Sequence, residues 1–86
     1  MDINELIAIV KKKIEENVLI QNIQIEDKSF LHKNHKGNDK NKYHLKVSIT
    51  SNELKDMGRI ESNKLIYKTL DHELKNFIHS IQILIN

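Results

Sequence analysis

The side chains best suited to chemistry in this chain are its five histidines, since the sequence contains no cysteine. His32, His35 and His44 lie in or beside one lysine-rich segment, and His79 lies far along the chain at the start of the last apolar run. Neutral imidazole is a common metal ligand. Two separated segments that each carry a histidine could therefore close on a metal ion, on a metal cluster, or on nothing.

Each histidine also has an interpretation without a metal. His79 would be a strand-end histidine that hydrogen-bonds to the backbone, as buried polar groups usually do, and His32 would be a solvated loop residue. His44 is interpreted as a structural residue or a support for a neighbouring ligand, and His72 as a solvated residue on the last helix. The spacing His32-x-x-His35 could bind zinc, but structural zinc usually takes four protein ligands, so a lone zinc site ranks low.

The first element that the sequence predicts is a helix. Apolar residues recur at helical spacing over residues 3–14. Asp2 is placed to act as N-cap, and Glu5 three residues later resembles a capping box. Lys11, Lys12 and Lys13 are interpreted as a solvated helix face in preference to a polyanion site.

Two strands and a connecting loop follow. Residues 20–27 and 43–50 alternate apolar and polar side chains, which is typical of half-buried strands. In the second strand the alternation places Leu45 on one face and His44 on the other. Residues 29–42 are rich in lysine and asparagine, and they predict a long hairpin loop.

The second half of the chain predicts two helices and a last strand. Ser51 is a candidate N-cap of a short helix or turn that ends near Gly58, and a longer helix is predicted from about Ser62 to Asn76. Its buried stripe is predicted to consist of Ile66, Leu70, Leu74 and Phe77. Residues 78–85 are rich in isoleucine and predict a buried strand in which His79 has the same parity as those isoleucines. The order of elements is α-β-β-α-α-β.

This order of elements, together with certain short motifs, resembles the BolA family. The matching pieces are Ile25-Glu-Asp-Lys-Ser29, His32-Lys-Asn-His35-Lys-Gly37, His44-Leu-Lys-Val47, Leu65-Ile-Tyr67, Leu70-Asp-His-Glu-Leu74 and Ile78-His79-Ser-Ile81. No single piece is specific to the family. The six pieces together, in the same order over nearly the whole chain, are specific to it. The chain departs from the family where Ser62-Asn63-Lys64 stands in place of a basic R-H-R segment.

The resemblance implies a single BolA-like α+β domain over residues 1–86, with a KH-like fold of the second topological type. In that fold a three-stranded mixed sheet is covered by helices on one face. The resemblance also implies a non-enzymatic partner of a monothiol glutaredoxin, monomeric alone and heterodimeric with its partner. Together the two proteins would bridge a two-iron, two-sulfur cluster in iron-sulfur trafficking or iron regulation.

The resemblance further implies the ligands of that cluster. The glutaredoxin and glutathione would each supply a thiolate, and this chain would supply histidines, as two histidines do on one iron of Rieske centres. The family's C-terminal histidine corresponds to His79 and its loop ligand to His32, with His35 as the alternative loop ligand. The chain alone is not expected to hold the cluster.

The alternative function that the resemblance implies is that of a nucleic-acid-binding transcription regulator with DNA as its partner. The basic residues that would contact the nucleic acid are Lys33, Lys36, Lys46, Arg59 and Lys64. KH domains grip single strands through a G-x-x-G loop between two helices, and residues 58–61 correspond to it here. The second glycine is replaced by Glu61, which would repel phosphate, so this segment argues against the nucleic-acid alternative.

Composition sets the remaining limits on function. A formal charge of +2 is too mild to indicate nucleic-acid binding by itself. No run reaches the roughly 18 apolar residues of a membrane span, and no signal-peptide pattern is present, so a cytoplasmic protein without membrane contact is expected. No nucleophile is visibly paired with a base, so the chain is not expected to be an enzyme.

Overall fold

The computed structural model describes residues 1–29 and 42–86. The described elements are, in chain order, α1 (Ile3–Asn17), β1 (Asn22–Asp27), β2 (Tyr43–Thr50), α2 (Asn52–Met57), α3 (Arg59–Thr69), α4 (Asp71–Asn76) and β3 (Ile78–Ile85). The predicted α+β class is confirmed. The loop predicted over residues 29–42 lies almost entirely outside the described residues. No helix in the described part of the chain has the length and apolarity needed to cross a membrane.

Two polar side chains cap the starts of helices, as predicted. The N–H of Glu5 donates to Asp2 Oδ1 at 2.9 Å, and the N–H of Leu54 donates to Ser51 Oγ at 3.2 Å. Ser51 is fully buried, and its hydroxyl donates to the carbonyl of Leu19 at 2.7 Å. One side chain therefore both starts α2 and ties it to the segment between α1 and β1.

The prediction of a single helix from about Ser62 to Asn76 is wrong both at the start of the helix and in its middle. The helix begins earlier, at Arg59. Gly58 alone separates it from α2, and its φ of +84° is a conformation that residues with a side chain rarely adopt. The helix is also interrupted at Leu70, where φ is −102° and ψ is 17°. Since Leu70 is fully buried, the apolar stripe continues across the interruption, and periodicity alone does not reveal it.

The sheet has the strand order β1-β2-β3, with β1 antiparallel and β3 parallel to β2. One face carries the apolar side chains of all three strands, and the helices pack against it. The buried apolar core consists of Leu6, Val10, Ile14, Val18, Leu45, Val47, Ile49, Leu54, Ile66, Leu70 and Ile78. The predicted three-stranded mixed sheet with helices on one face is confirmed.

The last strand departs from its predicted alternation at His79. Ile78 pairs with the first residue of β2, but the second residue of β2, His44, pairs with Ser80, so β3 has one extra residue at His79. Such a bulge changes the alternation of side chains along the strand. Ile78 is buried whereas His79 is exposed. The predicted parity of His79 with the core isoleucines is therefore wrong, and β3 buries one face, not both.

Candidate histidine site at the end of the sheet

His44 and His79 lie together where the parallel strands β2 and β3 begin. Their ring centroids are 4.9 Å apart, and their planes are inclined by 43°. The bulge brings them together, because it turns His79 away from the core and toward the side of the sheet that carries His44. Two histidines from separate segments of the sequence thus form a contacting pair.

His44 is held in place from several sides. Its ring Nδ1 lies 2.6 Å from Ser80 Oγ, and its backbone N–H donates to Ser29 Oγ at 3.0 Å. Its carbonyl accepts from the N–H of Lys28 at 2.7 Å, and the residue is only 4% exposed. This restraint supports the interpretation of His44 as a residue that positions a neighbour. Sequence reasoning assigned no role to the two serines, whose contacts depend on the pairing of strands.

His79 differs from His44 in that its side chain is exposed. Within residues 1–29 and 42–86 its ring nitrogens make no hydrogen bond, and its ring packs against that of His44. The interpretation of His79 as a histidine satisfied by backbone hydrogen bonds therefore finds no support among the described residues. An accessible imidazole with a fixed neighbour is suited to ligate a metal.

The charged residues near the histidine pair are two lysines and the carboxylates of Glu26 and Asp27. Lys28 forms an ion pair with Glu26, whose Oε2 lies 3.0 Å from the lysine Nζ, and Lys46 pairs across the strands with Glu26. The hydrogen bond from Lys28, followed by the charges of Lys28 and Lys46, holds the pKa of Glu26 below its usual value. Both lysines line a shallow cleft of about 300 Å³ that also contains His44. The two ammonium groups that line this cleft favour an anionic group over a free divalent cation there.

The described residues do not form a closed metal site. Within residues 1–29 and 42–86, no group of three or more histidine, aspartate or glutamate side chains is placed to hold a metal ion. The predicted loop ligands His32 and His35 lie outside the described residues. His72 is exposed on α4, where its ring meets Phe77 edge-on at a centroid distance of 5.9 Å. A metal at His79 would therefore need further ligands from beyond the described residues.

The predicted nucleic-acid contacts are divided between two faces of the molecule. Arg59 and Lys64 line a cleft between α3 and β3, on the side of the sheet where the helices pack. Lys46 lies on the opposite face, in the cleft beside the histidines. Lys33 and Lys36 lie outside the described residues. The structure does not bring the described cations of this set into one basic patch.

Of the four residues that correspond to a G-x-x-G loop, only the first lies between α2 and α3, and residues 59–61 form the first turn of α3, so the predicted loop over residues 58–61 is wrong. Gly58 lies between the two helices, as predicted, and Glu61 is exposed in the first turn of α3. A carboxylate at this position is unfavourable for a phosphate backbone.

Sequence reasoning missed an ion pair that joins α1 to α4. Lys13 Nζ lies 2.6 Å from Glu73 Oε2, and Glu73 is only 2% exposed. Lys13 is half-buried, so the interpretation of the whole lysine run as a solvated face is wrong at this residue. The sequence did indicate that Glu73 is buried and needs a partner, because it lies between Leu70 and Leu74 on the apolar side of the predicted helix.

Comparisons with known proteins agree with this architecture. The family model described as BolA, a BolA-like protein, matches residues 14–86. A curated relative, the DNA-binding transcriptional regulator BolA of Haemophilus influenzae, is 28% identical over 75 residues, which cover 87% of this chain and 70% of the relative.

Two solved structures from Arabidopsis thaliana have the same fold. BolA1 aligns with a TM-score of 0.77 and 26% identity, covering 92% of this chain and 87% of that chain. The BolA domain of SufE1 aligns with a TM-score of 0.76 and 23% identity, covering 100% of this chain and 93% of that chain, and supports the fold alone. The family model matches residues 14–86, which are most of this chain, and the chain therefore belongs to the BolA-like family.

Proposed function

We propose that this chain is the partner of a monothiol glutaredoxin, with which it shares a two-iron, two-sulfur cluster in iron-sulfur trafficking or iron regulation. The observation that carries the proposal is the placement of His79, an exposed imidazole at the bulge of β3 that packs against the ring of His44. A ligand of a shared cluster has to be accessible to the partner and held by its own chain. His79 meets both conditions.

The donor set fits a shared cluster better than a cluster held by this chain alone. The sequence has no cysteine, and the described residues provide no group of three ligands. The resemblance to the family implies that the thiolates would come from the glutaredoxin and from glutathione. Imidazole nitrogen is a known ligand of two-iron clusters. His79 would bind the cluster, with His32 or His35 as the second ligand from this chain.

The charges beside the histidines are consistent with the same proposal. The reduced form of a two-iron cluster with two thiolate and two neutral imidazole ligands carries one negative charge, and Lys28 and Lys46 line the cleft that contains His44. Nearby ammonium groups stabilise an anion and repel a free divalent cation. The proposed role is non-enzymatic, since the chain would bind and orient its share of the cluster without transforming a substrate.

Cluster assembly with a His79 variant tests the proposal. The chain, a monothiol glutaredoxin, glutathione, iron and sulfide are mixed without oxygen, and visible absorption and circular dichroism report the mixed cluster. His79→Ala should abolish that spectrum, whereas His72→Ala, which removes another exposed histidine, should preserve it. Far-ultraviolet circular dichroism checks the fold of both variants. An unchanged cluster in the His79→Ala protein would falsify the assignment.

The same assay distinguishes the two proposed loop ligands. His32→Ala is expected to weaken or alter the cluster spectrum more than His35→Ala, because His32 corresponds to the loop ligand of the family. The opposite order of effects would assign the ligand to His35.

DNA binding is a second candidate function. It is favoured by the Haemophilus relative, which is a DNA-binding transcriptional regulator, and by Arg59 and Lys64, which line one cleft. Glu61 in the first turn of α3 and the position of Lys46 on the opposite face of the sheet oppose it. We infer that DNA binding by this chain is weaker than its binding to a glutaredoxin.

A further inference from the structure

The second half of β3 has one side that pairs with no other described strand. The N–H of Asn86 donates to the carbonyl of Ile49 at 2.8 Å, and the carbonyl of Asn86 accepts from the N–H of Ser51 at 3.4 Å. The main chain of Asn86 therefore faces β2. Because these groups alternate in direction along a strand, the N–H and carbonyl groups of Ile83 and Ile85 point away from β2. In the sheet that the structure describes, β3 is an edge strand.

This edge lacks most of the features that protect edge strands from pairing. Natural edges are usually short, charged, interrupted by proline or bulges, or covered. Residues 80–86 contain no charged residue and no proline. The bulge of β3 is at His79, near the opposite end of this eight-residue strand. The free edge over residues 80–86 is therefore suited to receive another strand.

A groove runs beside this edge, between β3 and the helices α2 and α3. One part has a volume of about 310 Å³, and an adjoining part along α3 has a volume of about 430 Å³. Arg59, Asn63 and Ile83 line both parts. The apolar side chains of α3 beside the groove are unusually open, since Ile60 is 71% exposed and Tyr67 is 45% exposed. A strand added to β3 would cover this apolar surface.

The charges of the groove indicate the kind of partner that it would accept. Lys55, Arg59 and Lys64 line the groove, and no carboxylate is among the described residues that line it. Two copies of this chain joined edge to edge through β3 would bring these cations toward each other, which is unfavourable. An acidic segment would be attracted.

We propose that the free edge of β3 binds an extended segment of a partner protein, in which acidic and β-branched residues alternate, by strand addition. Main-chain hydrogen bonds to Ile83 and Ile85 would supply affinity. The acidic side chains on the helix side of the added strand would supply selectivity, with their carboxylates at the cations of the groove and their methylene groups over Ile60 and Tyr67. This surface does not include His79, so the inference goes beyond the proposed function and its test needs no cluster.

Hydrogen exchange at single amides tests the mode of binding. The probe is a peptide of about eight residues that alternates glutamate and valine, and the control is the same peptide with N-methyl groups on the residues that would face β3. The unmodified peptide should slow exchange at Ile83 and Ile85 by about tenfold or more. Leu84, whose amide faces β2, should change little, and the methylated peptide should protect neither site. No protection by millimolar unmodified peptide would overturn the proposal.

A pair of charge reversals tests the selectivity of the groove. Arg59→Glu combined with Lys64→Glu should weaken peptide binding by about tenfold at low salt and by less at high salt. Lys11→Glu combined with Lys12→Glu makes the same change of charge at exposed positions of α1 and should have little effect. Equal weakening by both pairs would indicate general charge attraction and reject the groove as the site.

Two other molecules that could occupy the edge of β3, a second copy of the chain and a nucleic acid, are tested by separate measurements. Sedimentation of the chain alone should show a monomer, and a dimer that protects the amides of Ile83 and Ile85 would replace the proposal with self-association. A labelled single-stranded oligonucleotide should bind more weakly than the peptide at physiological salt and leave those amides unprotected. Tighter binding of the oligonucleotide in the groove would assign the surface to nucleic acid instead.

Discussion

The exposure of the His79 side chain depends on one extra residue in β3. If β2 and β3 paired without the bulge, His79 would share a face with the core isoleucines. The bulge instead places it beside His44, whose buried ring is fixed by Ser80 at 2.6 Å. An exposed side chain that packs against a rigid neighbour loses less conformational freedom when it binds a ligand.

Glu26 provides a pH-dependent probe of the charges beside the histidines. Lys28 lowers the pKa of Glu26, first through its hydrogen bond and then through its charge, and Lys46 adds to the effect. Lys28→Met should therefore raise the pKa of Glu26, as measured by NMR titration of its carboxyl carbon.

The same shift makes stability depend on pH. Since the pKa of Glu26 in the folded state lies below its unfolded value, the interaction stabilises the fold above the unfolded pKa, and this stabilisation is lost as pH falls through the folded pKa. The effect on stability should be small because Glu26 is exposed.

The matched control for this titration is Lys75→Met. Lys75 forms a similar exposed ion pair with Asp71 on α4 at 3.0 Å, so its loss should leave the pKa of Glu26 unchanged. If Lys28→Met also left that pKa unchanged, the ion pair would not be present in solution.

Among the elements, α2 depends most on a single side chain. Ser51 accepts a hydrogen bond from the N–H of Leu54 and donates one to the carbonyl of Leu19, and it is fully buried. Ser51→Ala should destabilise the fold by about 1–2 kcal/mol, as measured by urea unfolding. Asp2→Ala removes an exposed cap with one hydrogen bond and should cost about 0.5–1 kcal/mol. A smaller cost for Ser51→Ala than for Asp2→Ala would contradict this assignment.

The ion pair between Lys13 and Glu73 joins α1 to α4. Glu73 Oε1 is buried and has no hydrogen-bond partner among the described residues, so this carboxylate relies on the bond of Oε2 to Lys13. Lys13→Met should destabilise the fold by about 1–3 kcal/mol, since it leaves a buried charge unpaired. Solvent screens part of the interaction, because the Lys13 side chain is 38% exposed.

A double-mutant cycle measures the interaction energy between Lys13 and Glu73 separately from the effects of the two single substitutions. The protein with both Lys13→Met and Glu73→Gln should lose less stability in urea than the sum of the two single variants. Additive losses would mean that the two side chains do not interact in solution.

Over the whole molecule, cations are spread across both faces of the sheet. Arg59 and Lys64 lie on the side of the helices, and Lys46 lies on the opposite side. A nucleic acid could contact few of these described cations at once. We therefore expect DNA or RNA binding to be weak, with little sequence preference, and to fall steeply with salt because it depends on counterion release.

Parallel titrations compare the two candidate functions. A monothiol glutaredoxin should bind with a micromolar Kd or tighter, on the order of −8 kcal/mol, and labelled duplex or single strands should bind far more weakly near physiological salt. If the lysines of the predicted loop dominate nucleic-acid binding, Lys33→Ala with Lys36→Ala should weaken it more than Arg59→Ala with Lys64→Ala. Tight, sequence-selective DNA binding without a detectable glutaredoxin complex would favour the transcription regulator.

The sequence by itself determined the features that depend on near neighbours. The caps at Asp2 and Ser51 could be predicted because an N-cap bonds to an amide only three residues away. The faces of β1 and β2 followed from alternation, since side chains on a strand point to opposite sides in turn. The pairing of His44 with His79 could not be read in this way, because it depends on how β3 aligns with β2.

Only the tertiary structure decided the interruption at Leu70, the bulge at His79 and the pairing of Lys13 with Glu73. Leu70 continues the apolar stripe without a glycine or proline to mark a break. The parity of His79 changes only when β3 pairs with β2. Lys13 and Glu73 are 60 residues apart and meet when α1 packs against α4. These features depend on contacts between residues that are distant along the chain, and a local sequence pattern does not record the energy of such contacts.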